Sequence, residues 1–416
     1  MLHTQSKYPV YAYLLVASAL AALISVCANP GIYEPYLEGQ AYLQMAQGRP
    51  ETAYNYYAGR MLHPFAARML AAVAPMDLRR AFFVVAVISL FALCVFLSLY
   101  AFKLKLNPLL LIPLVSVPAV ITLYQGYYFQ DLFHAMLTAA FFVLYSYSAW
   151  AALPILLLLH LTRESTVLLS IWLVAMSLRR RSWALAFGVA AVAIIGMSAT
   201  NAAVHAALPN KHGINMLEMY ALKVPYAFCN NILGLVFWTD TNAATINCVP
   251  SRVFNVAGHL GSIRQVGFCG FQPQLIIATL AAFLAPFGVE PAILARLVRG
   301  RSRALLEHDN VFHTAFGYGA TCLVLAPLVG TSPARYFLYA WPLYWLALPE
   351  LLKGLAFHRS RTIVLLALHA SAGALALCVP YEESWYASLS MVAVLLALNA
   401  VAYFCVSKMI SAARQI

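Results

Sequence analysis

Residues 151–178 read AALPILLLLHLTRESTVLLSIWLVAMSL, an apolar stretch with Arg163 and Glu164 at its middle. It is longer than the roughly 20 residues that one helical crossing of a bilayer needs. A charged pair facing lipid at mid-membrane is costly. The stretch therefore reads as two short tilted helices that turn at Thr162–Ser165 on the outer side of a membrane. A re-entrant segment at 131–148 is the alternative that leaves the same parity.

The parity decides the topology. Further apolar stretches lie near 10–28, 81–101, 107–124, 131–148, 183–204, 273–290, 311–329, 335–352, 362–380 and 386–407. With 151–178 counted as one crossing, Arg179–Arg181 and every later basic cluster would fall outside, against the positive-inside rule. Counted as two, it makes about twelve transmembrane helices, with both termini cytoplasmic. The clusters Lys103/Lys105, Arg179–Arg181, Arg296/Arg299/Arg301/Arg303, Arg359/Arg361 and Lys408/Arg414 then all lie inside. Two long segments, 29–80 after span one and 205–272 after span seven, lie outside. The expectation is an all-α polytopic membrane protein with a seven-span module over 1–272 and a helical region of about five spans over 273–416.

Composition agrees. The chain has 416 residues, 63% of them hydrophobic and 10% charged, with a mean hydropathy of +0.78; soluble domains run at about 45–50% apolar and about 25% charged. A soluble domain, a disordered chain and a small disulfide scaffold are excluded. The net charge of +12 would suggest nucleic acid if it formed a patch, but it is divided into short clusters between apolar runs, so the lipid bilayer is the partner and nucleic acid is not. The first apolar run, Tyr11–Ala28, lacks a clean cleavage site and reads as a retained first span. Cys27, Cys94, Cys322, Cys378 and Cys405 sit in apolar runs, whereas Cys229, Cys248 and Cys269 fall in the second outer segment, where an oxidising compartment would allow one disulfide with an odd thiol left over. The absence of an Asn-x-Ser/Thr sequon favours a bacterial inner membrane. Tyr54, Tyr56, Tyr57, Tyr124, Tyr127, Tyr128, Tyr381, Trp385 and Tyr386 gather near the interfaces and read as belt anchors, some of them able to line a sugar cavity.

The first outer segment is the richest in chemistry: from Asn29 it reads NPGIYEPYLEGQAYLQMAQGRPETAYNYYAGRMLHPFAARMLA. Leu37, Ala41 and Met45 space as a short interfacial helix with Glu38 near its start. A carboxylate there either complements the helix dipole or is held at the membrane surface for catalysis. Glu38-Gly39-x-x-Tyr42, Ala46-x-Gly48 and Arg60-x-Leu62-x-Pro64 resemble the first-loop motif of integral-membrane glycosyltransferases of the GT-C superfamily. The layout is similar too, with seven amino-terminal spans, short middle helices and long outer loops after spans one and seven. Pro333-Ala334-Arg335-Tyr336 with Pro342 resembles a late outer-loop element of those enzymes.

The resemblance implies transfer of a sugar from a polyprenyl-phosphate donor to a glycolipid, glycan or protein acceptor at the periplasmic face. It implies an acidic base in the first loop, here Glu38 where Asp is commoner. Such a reaction needs a carboxylate to take the acceptor proton, and direct displacement with one base inverts the anomeric centre. It also needs donors for the departing phosphate, a task suited to the arginine fork. Arg60, Arg163 and Arg335 are the candidates, with Glu164 orienting Arg163 or touching the acceptor. Asp131, at the outer start of the fourth span, is either a second acid or a helix cap. Glu34, held extended before Pro35, ranks behind Glu38. Tyr42 and His63 complete the expected substrate contacts.

No Asp-x-Asp occurs in the first loop, and His308, Asp309 and His313 lack compact ligand spacing, so neither metal nor cofactor is expected. Gly-rich phosphate loops and common hydrolase motifs are absent. The rival classes are a lipid-linked polysaccharide polymerase or ligase, whose arginines would crowd the late outer loops, and a flippase, whose ionisable groups would line a mid-span path.

Overall fold

The structure is a computed structural model that describes residues 8–35, 38–50, 59–108, 118–207, 224–239, 250, 252–260, 263–300, 308–329, 333–352, 359–378 and 385–413. The chain divides into two units: Met1–Lys211 with Arg303–Tyr318 and Pro342–Gly354, and His212–Ser302 with Gly319–Trp341 and Leu355–Ile416.

In the first unit, α1 (Val10–Cys27) is followed by α2 (Glu38–Ala46), α3 (Leu62–Val73), α4 (Leu78–Lys103), α5 (Pro118–Gln125) and α6 (Asp131–Tyr147). Then come α7 (Ala149–Thr162), α8 (Thr166–Arg179) and α9 (Trp183–Ala207). The sequence dictates the start of α4: Asp77 Oδ1 accepts from Arg80 N at 2.9 Å, capping a free amide. Around α4 pack α1, α3 and α6, and α7 bridges α6 and α9. Helices α4 and α8 end at basic residues in the left-handed conformation, Lys105 (φ 57°) and Arg181 (φ 58°). There Leu106 N reaches Ala101 O and Ser182 N reaches Ser177 O, each at or under 3.0 Å, closing the last carbonyls as a Schellman motif does.

The stretch 151–178 is two helices. Arg163 is extended (φ −160°, ψ 138°) and breaks the helix. His160 Nε2 lies 2.9 Å from Ser170 Oγ, although ten residues of continuous helix would span about 15 Å; the chain has turned back. Thr162 and Thr166 hydroxyls both donate to Leu159 O, joining the Arg163 N–H that closes the last turn of α7 on the same carbonyl.

In the second unit a π-helical turn (Phe228–Ile232) leads into β1 (Leu235–Thr239), β2 (Val253–Leu260) and β3 (Ile263–Phe271), an antiparallel sheet in the order β1-β3-β2. Next come α10 (Pro273–Leu284) and α11 (Glu290–Gly300). Beyond α12 (Asn310–Val329), whose first residues belong to the first unit, the stretch 335–352, read as one crossing, is a run of helical pieces from α13 (Pro333–Phe337) of the second unit through 3-10 and π turns to α14 (Leu348–Leu352) of the first. Pro342 and Pro349 lack the N–H that a regular helix would use there. The chain closes with α15 (Arg359–Cys378) and α16 (Trp385–Ala413). Helix α16 packs on α10, α11 and α15. Its buried Asn399 donates to Gly288 O at 2.9 Å and accepts from Ala292 N at 3.2 Å, tying α16 to the start of α11.

Among the described residues, five helices are long and apolar enough to cross a membrane: Val10–Cys27, Leu78–Lys103, Trp183–Ala206, Asn310–Val329 and Trp385–Ser411; six shorter apolar helices accompany them. This is a helical membrane protein, as expected, to which the segment 235–271 adds a small sheet that an all-α reading lacked. The short helix expected after Leu37 is α2, and its Ala41, Tyr42, Leu43, Met45 and Ala46 are buried against protein. Tyr124, Tyr127 and Tyr128 are at most 1% exposed and belong to the core, whereas Tyr386 at 77% keeps the exposure of a belt residue. Tyr54, Tyr56, Tyr57 and Tyr381 lie outside the described residues.

Candidate functional site

The site forms where α2, the segment before α3, the start of α6 and the α7–α8 turn meet. Each contributor is positioned by a local constraint. The chain before α2 is clamped to Tyr127 and Tyr128: Tyr128 Oη donates to Tyr33 O at 2.9 Å, and Tyr33 N donates to Tyr127 Oη at 3.3 Å. Gly39, the second residue of α2, lets that helix settle on this platform, since a Cβ there would stand 3.0 Å from Pro35 Cβ and 3.2 Å from Tyr128 Cβ. Gly59 does the same for Arg60, because a Cβ would meet Thr200 Cγ2 of α9 at 2.6 Å. Arg163 and Glu164 are presented by the break between α7 and α8.

Arg60 is the centre. Its Nε and Nη2 grip both oxygens of Glu164, the Nε contact at 3.0 Å, in the paired geometry that suits a guanidinium to a carboxylate. Its Nη1 donates to Glu38 Oε1 and to Tyr42 Oη, each at 3.1 Å. Tyr42 Oη in turn donates to Glu38 Oε1 at 2.7 Å, one helical turn away. Arg163 pairs with Asp131. Gln130 joins the two halves. In the amide orientation that satisfies both ends, its nitrogen donates to Tyr42 Oη at 2.7 Å, and its oxygen accepts from Arg60 Nη1 and Arg163 Nη1, each at 3.2 Å. Below this layer His134 Nε2 meets Thr166 Oγ1 at 3.3 Å.

Exposure grades across the cluster. The side chains of Arg163 and Asp131 are 4% and 5% exposed and Arg60 is 8%, whereas Glu38 is 13% and Glu164 is 24%. The Arg163–Asp131 pair is sealed, and the two glutamates form the reachable edge. Among the described residues, Glu38 and Glu164 pair with Arg60, and Asp131 pairs with Arg163. Burial pushes the Glu164 carboxyl up, but Arg60 overcomes this and holds it at about 2. Burial opposes the charge on Arg60, and Glu164, Tyr42 and Glu38 together keep it well above its ordinary value.

Of the residues singled out in the sequence, Glu38, Tyr42, Arg60, Asp131, Arg163 and Glu164 are therefore in one network. Asp131 is the first residue of α6 and spends its carboxylate on Arg163; Gln130 holds the cap position, and no side chain caps the helix there. Glu34 is turned elsewhere, paired with Arg79 and 67% exposed. His63 is 1% exposed, with ring centroids 5.1 Å from Phe82 and 5.6 Å from Phe133. Burial lowers its pKa to about 3, so it is a neutral packed ring with no charge to offer a phosphate. Arg335 sits in α13 of the second unit. Cys269 is disulfide-bonded and Cys229 is a free thiol; Cys248 lies outside the described residues. Gln130 was not legible in the sequence, since nothing in FQDLF marks a glutamine as the bridge between two arginines that lie far from it along the chain.

No protein-family model matches the chain, and no curated protein matches it.

Proposed function

We propose that the protein is an integral-membrane glycosyltransferase of GT-C type, moving a sugar from a polyprenyl-phosphate donor to a glycolipid, glycan or protein acceptor at the periplasmic face of a bacterial inner membrane. The observation that carries this reading is a buried network of acids and arginines whose two glutamates lie at its reachable edge. Glu164 is held by a two-pronged contact with Arg60 and Asp131 by a sealed pair with Arg163. Glu38 is oriented through Oε1 by Tyr42 and by a single arm of Arg60. Glu164, held at about 2, is too weak a base for the task.

In the proposed reaction Glu38 takes the proton of the acceptor hydroxyl as its oxygen bonds to the anomeric carbon. The bond from that carbon to the phosphate oxygen breaks, and the polyprenyl monophosphate leaves with the electron pair, inverting the centre. Arg60 and Arg163 serve by holding carboxylates. The charge of the leaving phosphate falls to other donors, with Arg335 the candidate by resemblance. The topology belongs to the same proposal: about twelve crossings with 29–80 and 205–272 outside. The disulfide at Cys269 supports an oxidising compartment for the second segment.

The test is transfer of labelled sugar from a panel of synthetic polyprenyl-phosphate sugars by purified protein, with Glu38→Gln and Asp131→Asn beside it. Glu38→Gln is expected to lower turnover by about 10²–10⁴-fold, the usual contribution of a general base. Turnover unchanged in Glu38→Gln would move the base to Asp131 or Glu34. No turnover with any donor would overturn the transferase reading, and retained binding of lipid-linked pyrophosphate oligosaccharide would then favour a polymerase or ligase.

A further inference from the structure

The small sheet carries an aromatic face whose origin lies in its register. Phe237 of β1 pairs with Phe268 of β3, and Phe254 of β2 pairs with Val266, two residues from Phe268. Paired residues share a face and so do residues two apart, so Phe237, Phe254 and Phe268 point the same way. Strict alternation would then turn Phe271 to the other side. It does not, because the register shifts between Val236 and Phe237: Val236 pairs with Gly270 and Leu235 with Phe271, leaving Cys269 as the extra residue of a bulge. Leu235 lies two residues from Phe237, so the bulge returns Phe271 to the aromatic face.

That face is bare where a water-facing sheet would be polar. Phe254 is 60% exposed, Phe268 41% and Phe271 61%. Phe228, Ile232 and Leu233 of the turn that precedes β1 are exposed as well. The sheet runs directly into an apolar helix: Phe271 is two residues from Pro273, where the short apolar helix α10 begins. The root is rigid. Gln272 N donates to Gly234 O at 2.7 Å, and Asn231 donates to Pro327 O at 2.9 Å.

We infer that the Phe254–Phe268–Phe271 face of the sheet docks into the outer leaflet of the bilayer in which α10 is embedded. An exposed aromatic face is stabilised by an apolar occupant, and the element into which this sheet runs directly is the apolar helix α10. Arg252, exposed at the start of β2, supplies a cation at headgroup depth, as interfacial elements commonly do. The second outer segment is thereby held down on the membrane surface. The inference rests on the membrane embedding of α10 and on the outer placement of 205–272 in the proposed topology, and it does not depend on the proposed chemistry.

The experiment replaces Phe254, Phe268 or, as a control, Val253 by a photoreactive benzoyl-phenylalanine in the full chain, reconstituted in phosphatidylcholine–phosphatidylglycerol nanodiscs. Val253 is 45% exposed but points to the opposite face. After illumination, lipid adducts at Phe254 and Phe268 are expected to exceed those at Val253 about tenfold, since only a side chain buried at the acyl boundary meets lipid continuously. Equal yields at the three positions, adducts with a second protein molecule, or adducts with a co-purified polyisoprenoid alone would overturn the docking. Hydroxyl-radical oxidation of the unmodified protein in the same nanodiscs is a second readout that needs no variant. Phe254 and Phe268 should stay unoxidised, and their oxidation to the extent of the exposed Tyr386 would also overturn it.

Discussion

Arg60 is the residue on which the charge balance of the cluster turns, because it touches Glu38, Tyr42 and Glu164 together. Removing one partner of a buried pair leaves the other charges uncompensated, so Arg60→Ala is expected to cost about 3–5 kcal/mol, read as a fall in unfolding temperature in detergent or nanodiscs. Arg60→Lys should recover only part of this, since an ammonium cannot grip both Glu164 oxygens with a planar fork. Two groups predict the acid limb of stability. His63 has a folded pKa of about 3 against 6.5 ordinarily. Its buried ring must stay neutral, and the unfolded chain binds the extra proton, so stability falls as pH drops below 6.5. Glu164 has a folded value of about 2 against 4.5, and its contribution, full above 4.5, is lost as pH falls towards 2. Unfolding temperature measured against pH should therefore begin to fall near 6.5 in the native protein. His63→Phe should make the fall below 6.5 shallower, and Glu164→Gln should flatten the part below 4.5.

At the scale of elements, close helix approach sets the site. Gly196 of α9 lies against α7, where a Cβ would stand 2.5 Å from His160 Cβ; small residues at such crossings are what let membrane helices pack backbone to backbone. His160 is three residues from Arg163, so pushing α7 away from α9 displaces the turn that carries Glu164. Gly196→Ala is expected to destabilise by about 1–3 kcal/mol, the usual cost of overpacking. Under the proposed function it also lowers sugar transfer beyond what the loss of folded protein explains, which a comparison of specific activity with folded fraction checks. Gly39→Val tests the other side of the cluster. Its Cβ meets Pro35 and Tyr128, so α2 must lift from the tyrosine platform and carry Glu38 with it. The expected result is lost transfer with a smaller change in unfolding temperature than Gly196→Ala produces.

For the molecule as a whole, the prediction is topological. A cysteine at Gly300 should react with a membrane-impermeant maleimide only from the cytoplasmic side, and one at Asn210 only from outside; the reverse pattern would place the candidate site on the wrong face. Much of this architecture was legible beforehand because the bilayer is a severe solvent. It demands apolar stretches of a set length and excludes charge from their middles, so Arg163 and Glu164 betrayed the turn at 163–165 without any knowledge of contacts. Helix α3, the sheet at 235–271 and the broken stretch 335–352 were less legible. In outer segments no lipid imposes a period, and prolines inside an apolar run leave its hydropathy unchanged.

The sequence by itself determined a helical membrane protein, the reversal at 163–165 and a short roll of ionisable residues in and near the first outer segment. Their types and order could be read there, because burial in lipid filters charge so strongly that each survivor stands out. Only the tertiary structure decided which of them meet. It brought Glu38, Tyr42, Arg60, Asp131, Arg163 and Glu164 into one network, added Gln130 as the bridge, and sent Glu34 to Arg79 and His63 into an aromatic core. These pairings join residues as many as 104 positions apart. They depend on helix approach set by glycines and on a tyrosine platform, short-range packing facts that no local pattern along the chain records.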